Sequence, residues 1–280
     1  IGDFTWTGFD YIGEAGIGRV EYTDVEGYRS TGTAGPFPYL LAQCGDIDIT
    51  GYRTPASHYR EIAFGLSAGP AIAVHRPENY GRPVEKTPWS WDDAVSSWEW
   101  AAERGAPVIV DVYADADEVG LVRDGQSLGG APVGDPRPLI ARFDTQYYPG
   151  ELVAIARRDG IEVGRAALRS AGEVALTAHA EVETIAAGGG LAYVPITLAD
   201  ALGTVPTDRD VDVTVTIDGP GELAGLGSGR ARTLESFAGP VRATHDGRLL
   251  AIVRPTAAGT ISLTATAEGY PPATVRITAL

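Results

Sequence analysis

At 280 residues and 44% hydrophobic, the chain is long enough for two or three compact domains with cores of their own. Its 22 Lys+Arg against 37 Asp+Glu give a formal net charge of −15, a field that repels polyphosphate backbones and anionic bilayers and so excludes nucleic acid as a partner. No apolar run approaches the roughly 20 residues that cross a bilayer and no basic, apolar, small-residue leader opens the sequence, so no membrane is expected and the protein reads as soluble, in a bacterial cytoplasm or secreted.

The first predicted element is FTWTGF, residues 4–9, where β-prone and apolar residues run together up to a glycine. A Gly-rich, irregular stretch follows over residues 10–49, too long for a plain connection and suited to lining a site. TPASHYREIAFG then reads as a helix, with Thr54 as N-cap, Pro55 in the first turn, Tyr59, Ile62 and Ala63 on one face and Gly65 as the stop. Residues 1–66 therefore form a strand, loop and helix, a β-to-α unit that cannot cover both faces of its own strand and is expected to be loose by itself. Residues 67–100 read as a linker rich in tryptophan. PWSWDDAVSSWEW holds Trp89, Trp91, Trp98 and Trp100 and is expected to be a packing seam rather than an exposed platform.

From about residue 101 the period changes to two. In APVIVDVYADADEVGLVRDGQSLG and ELVAIARRDGIEVGRAALRSAG, the dipeptides Asp124-Gly125 and Asp159-Gly160 are hairpin signals, and residues 101–172 read as an antiparallel sandwich. The acids 114–118 between two of these strands lack the glycine and terminal acid of a calcium loop and read as a solvated turn. The pattern restarts over residues 173–280 as EVALTAHAEV, AYVPITLAD, VDVTVTI, RLLAIVRP, TISLTATA and TVRITAL. Val211, Val213, Val215 and Ile217 face one way while Asp212, Thr214 and Thr216 face the other, which points to a second, immunoglobulin-like sandwich.

Other chemistry is sparse in the sequence. Cys44 stands alone, and His58, His75, His179 and His245 are scattered without metal-ligand spacing. The alternating acids of GDIDITG are explained by a loop leading into the helix. The chain contains no methionine, which is expected of a piece of a longer product.

FTWTGFDYIGE, CGDIDITGYRTPASHYREI, PVEKTPWSWDDAVSSWEW and VDVYADADEVGLVRDGQSLG followed by YYPGELVAIARRDGIEVGR together resemble, in order and spacing, the C-terminal part of glycoside hydrolase family 2, with the β-galactosidase-like branch as the nearest match. The resemblance implies a mostly β chain: two immunoglobulin-like β-sandwich domains preceded by the last β/α unit of a TIM barrel, with FTWTGF as its eighth strand. It further implies retaining hydrolysis of a β-galactoside or related oligosaccharide by two glutamates. Both lie before the eighth strand, so no catalytic residue is expected in this chain, and its partner would be the N-terminal barrel of the same polypeptide.

Barrel sites lie at the C-terminal ends of the strands, which makes Trp6, Asp10 and Glu14 the candidate substrate-binding residues. Trp6 would stack on a sugar ring, and the two acids would bind its hydroxyls. Magnesium or sodium is implied for the parent enzyme, but no metal or other cofactor is expected on this chain. An alternative class is a non-catalytic carbohydrate-binding or adhesion module of immunoglobulin-like domains. The β-to-α unit argues against it, because such a module has no use for one.

Overall fold

The computed structural model describes residues 5–135 and 137–280. They divide into two units, Ile1–Ser170 and Ala171–Leu280, both built mainly of antiparallel strands.

In the first unit the elements run β1 Val20–Tyr22, α1 Pro55–Ala63, β2 Ala71–His75, β3 Val84–Lys86, β4 Ala94–Val95, β5 Pro107–Tyr113, β6 Glu118–Arg123, β7 Gln126–Pro132, β8 Ile140–Gln146, β9 Glu151–Arg158 and β10 Ile161–Arg169. Two four-stranded sheets, ordered β4-β2-β5-β8 and β10-β9-β6-β7, make the sandwich. Alternation along β5 sends Val108, Val110 and Val112 into the shared core. There they meet Val119, Leu121, Leu152 and Ala154 of the facing sheet, all fully buried. The acidic stretch after β5 carries the chain from one sheet to the other. Its Asp115 pairs with Arg158 at 2.7 Å and Asp117 accepts the Asp159 amide at 2.8 Å. Both Asp-Gly turns have the positive φ expected of them, 47° and 79° at 124–125 and 52° and 75° at 159–160.

Residues 67–100, expected as a linker, contribute β2 and β4 to the sandwich, which therefore begins at Ala71 rather than near residue 101. The run AIAV escapes a period-two reading because this sheet is covered on both faces. Its outer face places Ala71, Tyr113 and Ile140 in one cross-strand row and Ala73, Asp111 and Arg142 in the next. Helix α1 packs there through Ile62 and Tyr59, with Trp91 beside them. Trp98 and Trp100 instead enter the sandwich core. The Trp98 ring stands edge-on to Tyr147 at 5.2 Å, and its Nε1 donates to the Tyr148 carbonyl at 3.0 Å.

The strand expected at 4–9 is not formed over residues 5–9, and Phe4 lies outside the described residues. Its ladder is limited to one parallel bridge, Phe9 with Ile47. An extended segment without a neighbouring strand along its length has no repeating hydrogen bonds to hold it. The helix forms as expected, with Pro55 in its first turn. Thr54 does not cap it through its side chain but donates to the Asp46 carbonyl at 3.0 Å.

The second unit contains β11 Val174–Ala178, β12 Thr184–Ile185, β13 Ala192–Asp200, β14 Asp212–Asp218, β15 Gly221–Gly227, β16 Val241–Ala243, β17 Arg248–Pro255, β18 Gly259–Ala267 and β19 Tyr270–Ala279. They form sheets β11-β13-β17-β15 and β12-β19-β18-β14-β16. Val213 and Val215 point into the core with Val194, Ile196, Ala251, Leu263 and Ile277, as the alternation in VDVTVTI requires. All six strands read from the sequence of this unit are present. The short β12 and β16 and the Gly-rich β15 add to them.

Candidate carbohydrate site

The site grows from two stretches, residues 8–18 and 40–47, stitched along their backbones by one parallel bridge, Phe9 with Ile47, and one antiparallel bridge, Ile12 with Leu41. Gly13 donates to Leu40 at 3.0 Å, Ala42 to Tyr11 at 3.0 Å, Gly16 to Leu41 at 2.8 Å and Gly18 to Ala42 at 2.9 Å. Leu41 and Ala42 are fully buried beneath them. Approach this close demands glycine: a Cβ on Gly18 would stand 2.1 Å from the Gln43 carbonyl oxygen, and one on Gly45 would stand 2.2 Å from the Asp10 nitrogen.

Asp10 is a fastener of this scaffold. Its carboxylate accepts the amides of Gln43 at 3.1 Å, Cys44 at 3.1 Å and Gly45 at 3.3 Å. Burial pushes its carboxyl above the ordinary aspartate value, against the lowering effect of these amides. A carboxylate so engaged shapes the turn at 43–45 and does not present both oxygens to a ligand. Burial and the neighbouring Asp10 charge push the Cys44 thiol up to about 11, so it is a protonated packing residue.

Arg19 fastens the outer part of the loop. Its side chain is only 1% exposed and donates to the carbonyls of Gly16 at 3.0 Å, Thr33 at 3.0 Å and Gly32 at 2.9 Å and to Thr31 Oγ1 at 2.9 Å, while pairing with Glu21 at 3.0 Å. Residues 10–49 lack regular secondary structure over most of their length, yet they are tied down at several points. Asp48 accepts the amides of Thr50 at 2.8 Å and Tyr52 at 3.1 Å, and Asp46 pairs with Arg60, so the acids of GDIDITG organise the approach to α1.

Trp6 and Glu14 are brought together on this scaffold by Tyr11. Trp6 Nε1 donates to the Tyr11 hydroxyl at 3.0 Å, and that hydroxyl donates to Glu14 Oε2. The bond to Glu14 raises the Tyr11 phenol above its ordinary value. Trp6 remains 58% exposed although its polar edge is held, so it offers a flat apolar face that does not turn freely. An apolar ring face beside a carboxylate and a phenol matches the surface of a sugar, which has C–H groups on one face and hydroxyls around its edge.

The sequence reading assigned all four tryptophans of 89–100 to a seam, and the structure places one of them beside Trp6. Trp89 lies with its ring centroid 6.2 Å from that of Trp6, tilted by 58°, and is 37% exposed. The available signal was its position: Trp89 is the first tryptophan of the run and lies in the turn that the Ser90 amide closes on the Thr87 carbonyl at 3.1 Å.

Magnesium or sodium, implied for the parent enzyme, can be tested against the residues present. Among the described residues, His75, Asp92 and Asp111 bring three ligand atoms within 4.8 Å of one another. Their oxygens are already taken. Arg142 donates to both oxygens of Asp111 at 2.7 Å, His75 Nε2 lies 2.8 Å from the same carboxylate, and Asp92 pairs with Lys86 and Arg137. Burial alone would raise the Asp111 and Asp92 carboxyls, but their bonds to these cations outweigh it and leave both below the ordinary aspartate value. Three guanidinium and ammonium groups around two carboxylates do not fit a divalent or alkali cation. The cluster instead clamps the loop carrying Trp89 and Trp91 to the outer face of the sheet.

The comparisons with known proteins agree with this architecture. Residues 174–276 match the glycoside hydrolase family 2 C-terminal domain 5, and residues 105–164 match a domain of unknown function, DUF4982. The chain is 26% identical over 282 residues to the β-galactosidase BoGH2A of Bacteroides ovatus, covering 99% of this chain and 28% of that protein. It is 27% identical over 171 residues to a putative β-glucuronidase of Formosa agariphila, covering 61% of this chain and 13% of that protein. A glycosyl hydrolase family 2 member from Bacteroides cellulosilyticus superposes with a TM-score of 0.83 at 30% identity, over 98% of this chain and 35% of that one. The chain thus spans about a third or less of the length of these relatives. In sequence and in fold it is a C-terminal portion of glycoside hydrolase family 2.

Proposed function

We propose that this chain is the C-terminal part of a retaining β-glycosidase acting on β-galactosides or related oligosaccharides, and that Trp6 and Glu14 line the rim of its sugar site. The observation that carries the reading is the Trp6–Tyr11–Glu14 chain of hydrogen bonds, which holds an exposed indole face beside a carboxylate. The names of the relatives, β-galactosidase and β-glucuronidase, support the substrate class. In this reading residues 5–66 complete a barrel begun upstream, and the upstream part supplies the two carboxylates, one as nucleophile and one as acid and then base. Trp6 holds the sugar through its C–H face, Glu14 accepts from a ring hydroxyl, and Tyr11 fixes both. Asp10, a candidate ligand by sequence, acts through the turn at 43–45.

The test uses the longer polypeptide and this chain side by side. This chain alone turns over no chromogenic β-galactoside or β-glucuronide, while the longer polypeptide does. In the latter, Trp6→Ala lowers kcat/KM by about ten- to a hundredfold, the equivalent of about 1–3 kcal/mol of lost stacking at the transition state, with little change in melting temperature. Normal kcat/KM with a strongly lowered melting temperature would make Trp6 a packing residue and remove it from the site.

A further inference from the structure

Trp89 is the one tryptophan of the 89–100 run that neither core absorbs. Trp98 and Trp100 are buried within the first sandwich. Trp91 packs against Tyr59 at 5.1 Å and donates from Nε1 to the Tyr113 hydroxyl at 3.1 Å. The Trp89 ring meets Trp6 among the described residues, and the turn that carries it is fixed at several points. Thr87 Oγ1 donates to the Ile17 carbonyl and Ser90 Oγ to the Arg19 carbonyl, which bolts the turn to the loop that follows Glu14. Within the turn, the Thr87 amide donates to Ser90 Oγ at 2.9 Å and the Ser90 amide to the Thr87 carbonyl at 3.1 Å. Three residues away, Asp92 is clamped by Lys86 and Arg137.

A large aromatic side chain held this firmly while leaving 37% of its surface in solvent has its position specified without having its surface covered. The partner it is specified against is Trp6, 6.2 Å away. The tilt of 58° keeps the two indoles from stacking face to face, and both rings leave part of their surface in solvent, 58% for Trp6 and 37% for Trp89.

We infer that Trp89 is the second wall of the sugar site and binds the sugar on the leaving-group side of the scissile bond, selecting β-linked oligosaccharides over glycosides with a minimal leaving group. The inference rests on the reading of Trp6 given above. Trp6 meets the sugar whose anomeric carbon reacts, and Trp89, contributed by the segment that joins α1 to the sandwich, meets the next one along. Two rings inclined to each other suit two successive sugars of a β-linked chain, whose mean planes are also turned relative to one another.

The experiment compares two substrates in the longer polypeptide: the β-galactosyl or β-glucuronosyl fluoride that it hydrolyses, whose leaving group touches no second wall, and a disaccharide of the same sugar. For Trp89→Ala, kcat/KM on the disaccharide is expected to fall at least tenfold more than on the fluoride. Trp89→Leu should fall in the same way, since it keeps apolar bulk without a flat face, whereas Trp89→Phe should retain most of the preference. Trp6→Ala should fall on both substrates. Equal losses on the two substrates in the Trp89 variants would mean that Trp89 only supports Trp6, and would overturn the inference. So would no loss on either, or a Leu variant that behaves like the Phe variant. If Trp6→Ala loses nothing on either substrate, or the longer polypeptide hydrolyses neither sugar, the reading of the site itself falls, and this outcome is distinct from a failure confined to Trp89.

Discussion

Asp111 offers the sharpest test of how the first unit is held together. It is fully buried on β5, and its two oxygens accept both Arg142 bonds at 2.7 Å and face His75 Nε2 at 2.8 Å. Asp111→Asn keeps the shape but replaces one acceptor by an N–H₂ group that must face a donor, leaving Arg142 without its counter-charge. Breaking a buried pair from one side costs about 3–5 kcal/mol. Because the Arg142 side chain is 32% exposed and regains some water, the lower end, about 3 kcal/mol, is expected.

The pH dependence has a definite sign. The folded carboxyl lies below its ordinary value, so its contribution is fully present above the unfolded pKa and is lost as pH falls through the folded one. Wild type and Asp111→Asn should therefore differ most above about pH 5 and begin to draw together below about pH 4, where the unfolded carboxyl takes up its proton. All five tryptophans lie within residues 1–170, so tryptophan fluorescence during urea unfolding follows this unit alone. A loss under about 1 kcal/mol at pH 7, or a gap that persists unchanged to pH 3, would refute the reasoning.

Three further outcomes follow from the site loop. Arg19→Met removes four hydrogen bonds and an ion pair at a side chain 1% exposed, and should speed amide exchange over residues 28–35 while strands β5 to β10 stay protected; unchanged exchange there would show that the loop does not depend on it. Cys44, with its thiol at about 11, should react with iodoacetamide at pH 8 at least tenfold more slowly than a free cysteine, the rate still rising above pH 10; a plateau near pH 9 would contradict the burial argument. Gly18→Ala forces a Cβ to within 2.1 Å of the Gln43 carbonyl oxygen and should cost about 1–3 kcal/mol in the same fluorescence-detected unfolding, with a neutral result meaning that the two backbone stretches are free to separate.

The sequence by itself determined the features that depend on neighbours along the chain. The Asp-Gly turns at 124–125 and 159–160, the inward valines of β14 and the helix opened by Pro55 were legible because backbone stereochemistry and side-chain alternation are local properties. Trp6 and Glu14 were named as candidates through the family resemblance, which places them at the C-terminal end of a barrel strand.

Tertiary structure alone decided the rest. β2 became a strand because β5 and β4 pair with its two edges and α1 covers its outer face, and AIAV carries no period that announces this. Asp10 became a fastener because residues 43–45, more than thirty positions away, aim three amides at it. Asp111 was hidden inside an apolar strand, and its purpose is visible only beside Arg142 and His75. Among the four tryptophans of 89–100, one motif divided into sandwich core, helix seam and a partly exposed indole beside Trp6. The division rests on which surface each indole meets in space, a matter of long-range packing that spacing along the chain does not encode.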